Sequence, residues 1–420
     1  MNFTQLQEFL KRHLLEDIVP FWVKHGVDWE YGGIYNFIAD DGTVVKTDKP
    51  VTGNARALWT LSALYNRVQR DERWLEAADL TFAFLKNFGR DENGLWNYVV
   101  DRKGNTILGE QSIITDAFAI YGLVEYYRLS GNDEALSIAE QTYNISMKRL
   151  AGPGTYKTAP YPVPDGMKAH REAMQFSLML FELWQEIKKD EILEHALFFS
   201  NEVLDHFYRQ DMEVLLEYIG LDNRFHDTPE GRVMVPGHGI ESLWFQIYIR
   251  SHPEIDHKKR AVQAAHAVKP CLEKGWDTEY GGIYLGIDVK GEPPAWPFAE
   301  TKRWWPHTEA LCGTLLAYEQ LEAQWAIDWF RKIHEWTFNH FPDREHGEWV
   351  ENLARDGRPL YEVLQSTTGN DQKDQNGATS EWINYDLMLK DFFHLPRALI
   401  IAMETINRLK INKKNIDTSF

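Results

Sequence analysis

Apolar residues recur every three to four positions through most of the chain, the period of a helix with one buried face. Read with that period, the sequence predicts helices over residues 4–24, 53–70, 72–88, 112–130, 132–150, 168–187, 190–206, 238–251, 258–275, 304–320, 323–339 and 393–409. Alternating, strand-type patterns are short and confined to the connections. The connections themselves alternate in length. Long segments with Gly and Pro precede the second, fourth, sixth, eighth, tenth and twelfth helices. The links after those helices are short, such as Arg70-Asp71 and the stretch around Gly131-Asn132. Short links make neighbouring helices antiparallel, so every long loop falls on one face. Six such hairpins closed in a ring form an (α/α)6 barrel; the open alternative is a solenoid. Closure is expected because the chain stops after six pairs with no polar capping repeat. The expected fold class is all-α. It is a single (α/α)6-barrel domain over residues 1–420, with about twelve helices, short β-hairpins in the long loops and a polar tail from about residue 411.

The long loops resemble one another. Asp28-Trp29-Glu30-Tyr31-Gly32-Gly33-Ile34-Tyr35 is nearly repeated at Asp277-Thr278-Glu279-Tyr280-Gly281-Gly282-Ile283-Tyr284. Weaker copies are Asp343-Arg344-Glu345-His346-Gly347-Glu348-Trp349 and Asp91-Glu92-Asn93-Gly94-Leu95-Trp96. An acidic turn, then Gly, then aromatic or β-branched residues is hairpin chemistry. These Asp and Gly residues are therefore expected to shape turns rather than to catalyse. They lack the spacing of an EF-hand.

Composition narrows the function. The chain carries 45 basic and 63 acidic residues, a net charge of −18, which disfavours nucleic-acid binding. There is no run of ~18 apolar residues for a membrane span, and the amphipathic, charged start is not expected to be a signal peptide, since it lacks the apolar core and small-residue cleavage site of one. With two cysteines, Cys271 and Cys312, neither a disulfide framework nor a cysteine zinc site is expected, and a cytoplasmic setting is.

The chemistry-bearing residues gather where the even-numbered helices begin. Arg56 opens the second, Lys168 and His170 the sixth, His238 and Glu241 the eighth, Trp304, Trp305, His307 and Glu309 the tenth, and His394 and Arg397 the twelfth. In a barrel these starts share one mouth, and their positive helix ends suit a substrate that becomes anionic as it reacts. Two histidines with Arg, Glu and Trp on one face point to acid–base chemistry. Trp304-Trp305 suit stacking on a sugar. A zinc set of His238, His394 and Glu241 lacks a further ligand at sound spacing, so no metal is expected. No serine-hydrolase elbow and no nucleotide-binding Gly-rich loop occurs.

Pro236-Gly237-His238-Gly239-Ile240-Glu241, Lys302-Arg303-Trp304-Trp305-Pro306-His307-Thr308-Glu309-Ala310 and Phe393-His394-Leu395-Pro396-Arg397 stand in one order along the chain. Leu215-Leu216-Glu217-Tyr218 and Asp227-Thr228-Pro229-Glu230-Gly231-Arg232 accompany them. Together these blocks resemble the N-acylglucosamine 2-epimerase (renin-binding protein) family. Its superfamily includes cellobiose and mannose 2-epimerases and mannose and sulfoquinovose isomerases. The resemblance implies an (α/α)6 barrel that epimerises an aldose at C2 through a cis-enediolate. His238 and His394 would be its acid–base pair; Arg56, Glu241, Glu309 and Arg397 would hold the sugar, with Lys168 as a further basic contact. Where the cellobiose and mannose branches carry a His in the sixth helix, this chain has Gln175 or its neighbour Met174, which points to the N-acylglucosamine branch. The resemblance implies a small-molecule sugar substrate, no required cofactor, and room for a homodimer. ATP as an allosteric activator has no nucleotide motif to support it. The alternatives are an aldose–ketose isomerase, a glycosidase using Glu241 and Glu309, and a non-catalytic binding protein. The long segment from Leu364 to Lys390, just before His394, is expected to act as a lid over the site.

Overall fold

A computed structural model describes residues 2–152, 156–255, 258–367 and 390–412. Helix α1 spans Phe3–Arg12 and runs on through π-helical turns at His13–Ile18 and Trp22–Gly26. The helices that follow are α2 (Val51–Ala63), α3 (Glu72–Phe88), α4 (Ile113–Ser130), α5 (Asp133–Leu150) and α6 (His170–Ile187). The second half contributes α7 (Asp190–Asn201), α8 (Pro236–Arg250), α9 (Lys258–Gly275), α10 (Trp304–Leu321), α11 (Gln324–His340) and α12 (His394–Asn412). The period-based expectations hold to within a few residues at each of these helices. One further short helix, Leu360–Thr367, was not expected. The segment expected to act as a lid falls mostly outside the described residues, as does the tail beyond residue 412.

The even-numbered helices form an inner ring. Helix α4 is buried on every side from Ala117 to Tyr126, as an inner helix enclosed by its neighbours must be. The outer helices are two-faced: α5 buries Ala135, Ile138, Ala139, Thr142, Tyr143 and Ser146 and leaves its other face polar. Around the ring α2 packs on α4, α4 on α6, α6 on α8, α8 on α10 and α10 on α12, and α12 returns to α1 and to the turn that ends α2. Across that seam Thr60 Oγ1 donates to the Phe392 carbonyl at 2.6 Å. The ring is closed, which decides for the barrel over the solenoid.

Closure is repeated in the backbone of the long loops. The four repeated motifs form local hairpin bridges, at Val27–Ile34, Arg90–Trp96, Trp276–Ile283 and Pro342–Trp349. Pairing between successive loops was not expected, and it links them all. Lys49–Pro50 pairs with Val99–Val100, and Ser112 bridges Thr158. Met167–Ala169 pairs with Tyr218–Gly220, Val233–Met234 with Ile287–Asp288, and Lys302–Arg303 with Asn352–Leu353. The last link joins the ends of the chain: Lys390 N donates to the Asn36 carbonyl at 2.8 Å, and Asn36 Nδ2 to the Lys390 carbonyl at 2.9 Å. One consequence corrects the sequence reading. Lys168 lies in a strand, not in a helix; α6 begins at His170.

The repeated Asp residues shape turns, as expected. Asp277 Oδ1 accepts from the Glu279 and Tyr280 amides, and Asp28 Oδ1 from those of Glu30 and Tyr31. They also hold a buried cation each. Lys302 Nζ is 3.0 Å from Asp277 and Lys49 Nζ 2.9 Å from Asp28, with all four side chains at most 1% exposed. Arg355 and Arg102 cover the two pairs from outside. Burial pushes these carboxyls up, but the neighbouring cations outweigh it and hold both well below the ordinary range. Removing one partner strands a buried ammonium, a loss of about 3–5 kcal/mol. Asp277→Ala is therefore expected to lower the urea midpoint markedly, and adding Lys302→Met to recover most of the loss. Equal stability of the wild type and the single variant would show that Lys302 escapes to water.

Candidate active site

The long-loop face holds a cavity of about 230 Å³ over the barrel axis. His238, His394, Arg56, Glu241, Trp304 and Trp305 all line it. They arrive from the starts of α2, α8, α10 and α12, so the convergence expected from helix starts is present. Trp305 packs against both imidazoles, with ring centroids 4.9 Å from His238 and 5.7 Å from His394. Gly237 makes room for that indole, because a Cβ there would fall 2.4 Å from Trp305 Cζ3.

Each histidine is backed by a buried carboxylate. His238 Nδ1 is 2.9 Å from Glu217 Oε2. Burial pushes the Glu217 carboxyl up, but His238, His170 and Arg171 outweigh it and hold it well below the ordinary range. An ionised carboxylate only accepts, so Nδ1 of His238 carries the proton and Nε2 is left for the cavity. His394 Nδ1 is 2.8 Å from Glu309 Oε1. Burial, aided by Arg56 and Arg397 against Asp391 and Glu241, pushes His394 down to about 3. It is a neutral imidazole at pH 7.

Glu309 and Arg397 were expected to touch the sugar, but neither lines the cavity. They lie behind His394. Arg397, fully buried, donates through Nη2 to Glu241 and, at 2.8 Å, to Glu309. Glu309 also accepts from Trp244 Nε1 at 2.7 Å. Glu241, Glu309 and His394 fall within metal-ligating reach of one another. The Arg397 guanidinium on both carboxylates already supplies their counter-charge. His307 is structural: its Nε2 accepts from the Ile283 amide at 2.8 Å and its Nδ1 donates to the Arg303 carbonyl at 2.6 Å. Lys168 is also apart from the cavity and pairs with Glu202.

Other wall residues carried little sequence signal. Asp391, Asn36, Arg171 and Trp296 stood out in no pattern, and Glu217, which backs His238 without lining the cavity, appeared only within a motif block. Asn36 Oδ1, Gln175 Oε1, Arg56 Nε and Trp304 Nε1 are buried on this wall with no hydrogen-bond partner among the described residues, as is Asp391 Oδ2, whose neighbours Arg56 Nη1 and His394 Nε2 stand off at 3.6 and 3.7 Å. Unpaired buried donors and acceptors are costly. A polyhydroxylated ligand would satisfy them.

The class is thus an (α/α)6 barrel with a carboxylate-backed pair of histidines in one polar cavity. The chain belongs to the N-acylglucosamine 2-epimerase (GlcNAc 2-epimerase) family, whose model matches residues 32–369. It is 27% identical over 409 residues to the N-acylglucosamine 2-epimerase of Bos taurus, covering 94% of this chain and 90% of that protein. It is 27% identical over 370 residues to the cellobiose 2-epimerase of Ruminococcus albus, covering 83% of this chain and 91% of that one. The structure of cellobiose 2-epimerase from Spirochaeta thermophila superposes with a TM-score of 0.77 at 22% identity, covering 97% of this chain and 98% of that one. Among the described residues no helix is long and apolar enough to cross a membrane.

The low position of His394 has a direct readout. A histidine depressed by burial keeps its neutral form as pH falls through the ordinary value near 6.5. The His394 ring resonances, assigned by loss in His394→Gln, should stay at neutral-imidazole shifts between pH 8 and pH 5. A midpoint near 6.5 would mean that the ring is solvated rather than sealed.

Proposed function

We propose that this chain is a sugar 2-epimerase interconverting N-acetylglucosamine and N-acetylmannosamine. The observation that carries the reading is the pair of carboxylate-backed histidines on one cavity, His238 on Glu217 and His394 on Glu309. Epimerisation at C2 needs a base on one face of the carbon and an acid on the other. With the sugar in its open-chain form, one neutral imidazole takes the C2 proton. The electrons pass to the C1 carbonyl oxygen, giving an enolate whose C2 still carries the acetamido nitrogen. The other histidine, protonated, returns a proton to the opposite face of C2, and the carbonyl re-forms as the epimer.

His394 is held neutral, which suits the base for one epimer. Arg56, on the cavity wall, supplies positive charge to meet the negative charge that develops on the enolate oxygen, the form of stabilisation worth most in a water-poor site. The chemistry is complete with the chain's own side chains and calls for no cofactor. The choice of the N-acylglucosamine pair is supported by the likeness to the bovine enzyme along nearly the whole chain and by Gln175 on the cavity wall. A glycosidase would need Glu241 and Glu309 both open to the ligand, and Glu309 is sealed behind His394 and Arg397.

In deuterated water, N-acetylglucosamine should gain deuterium at C2 as N-acetylmannosamine appears. His238→Ala and His394→Ala should each lose about 10²–10⁴-fold in turnover while remaining folded. Release of monosaccharide from a disaccharide without C2 exchange would replace this reading with hydrolysis. Ketose formed from mannose or glucose, with no C2 exchange in N-acetylglucosamine, would replace it with aldose–ketose isomerisation.

A further inference from the structure

A second cavity, of about 890 Å³, lies beside the first and shares the wall Thr158–Pro160 with it. It is framed by residues 156–169, the start of α6 and the end of α7. Its walls are largely apolar and aromatic, with Tyr156, Phe198, Phe207 and Leu221 among them. Phe198 stands 56% exposed at its edge.

Glu172, in the first turn of α6, lines this cavity. Its side chain is 6% exposed, and neither carboxylate oxygen has a hydrogen-bond partner among the described residues. Burial pushes the group up to about 7. Neither the rim pairing nor the histidine dyads use it. An unpaired buried carboxylate costs stability that an apolar or amide side chain of similar size would not, so the fold itself gives no reason for it.

The surrounding charges indicate what would pair with it. Both lysines on the wall are engaged. Lys168 pairs with Glu202, and Lys157 donates to the Glu110 carbonyl at 3.2 Å and to Gln111 Oε1 at 3.3 Å. Lys168 is neutralised by Glu202, and Lys157 is an exposed side chain that donates to two neutral oxygens, so neither supplies Glu172 with a partner. We propose that this cavity is a second ligand site, distinct from the sugar site, that takes a small organic ammonium on an aromatic or aliphatic body, with Glu172 as its counter-ion. The apolar walls take the body, and the face of Tyr156 favours a cation near it.

Calorimetric titration of the full chain with phenethylammonium chloride tests this, with 2-phenylethanol as the uncharged isostere and phenylacetate as the anion. Saturable binding of the ammonium is expected, about tenfold or more tighter than the alcohol, with none for the anion. Glu172→Gln should abolish that preference and raise the Tm of the ligand-free protein. Phe198→Ala, at an exposed position, should weaken ammonium and alcohol alike. Equal binding of ammonium and alcohol, an unchanged preference in Glu172→Gln, or no saturable binding of the ammonium would each overturn the proposal. The comparison of probes on the wild-type chain decides even where the Glu172 variant fails to fold.

Discussion

The site depends on one buried guanidinium. Arg397 is inaccessible to water and bridges Glu241 on α8 and Glu309 on α10 from its place in the first turns of α12. Three charged groups taken out of water are tolerated only when opposite charges are held in contact, as Nη2 is with both carboxylates. That requirement fixes three inner helices relative to each other at the level of the cavity floor. Glu309 then has one oxygen turned to His394. The orientation of the imidazole follows from the charge balance beneath it.

The rim applies the same constraint from above. Each long loop is paired to the next, and Asn36 and Lys390 join the last loop to the first. Loops of this length would otherwise be the least ordered parts of a barrel. Tied into a ring, they hold Glu217 behind His238 through the Glu217 N to Val233 carbonyl bond and the His170 N to Glu217 carbonyl bond, 2.9 and 2.8 Å. One histidine is therefore backed from the helical floor and the other from the loop wall. The repeated Asp–Lys pairs belong to the same support: Lys49 and Lys302 sit in rim strands whose next residues, Pro50 and Arg303, line the cavity.

The helices were legible because one physical signal, burial of a single face, has a period that the sequence displays directly. The gathering of His238, His394, Arg56 and the two tryptophans was legible because alternating link lengths put those helix starts on one face. Depth was not legible. Arg397 and His394 lie three residues apart, yet His394 reaches the cavity and Arg397 lies wholly beneath it. The inter-loop strands are two or three residues long, too short for an alternating pattern, so Lys168 read as helical when it is a strand residue. Glu217 sits in such a strand-rich loop, where no period marks which side chain turns inward.

The placement of carboxylates also bears on which chemistry the barrel can perform. A hydrolase of this shape would leave two acids open to the ligand. Here Glu217 and Glu309 are both spent on imidazoles, and Glu241 is bound to Arg397. The cavity wall carries the pair of imidazoles, with Trp305 packed on both, beside the Glu241 carboxylate held by Arg397 and the Asp391 carboxylate 3.6 Å from Arg56. Backing each histidine with an acid fixes its tautomer and aims its remaining nitrogen. Such a pair is suited to moving one proton from one side of a carbon to the other, with little else changed in the molecule.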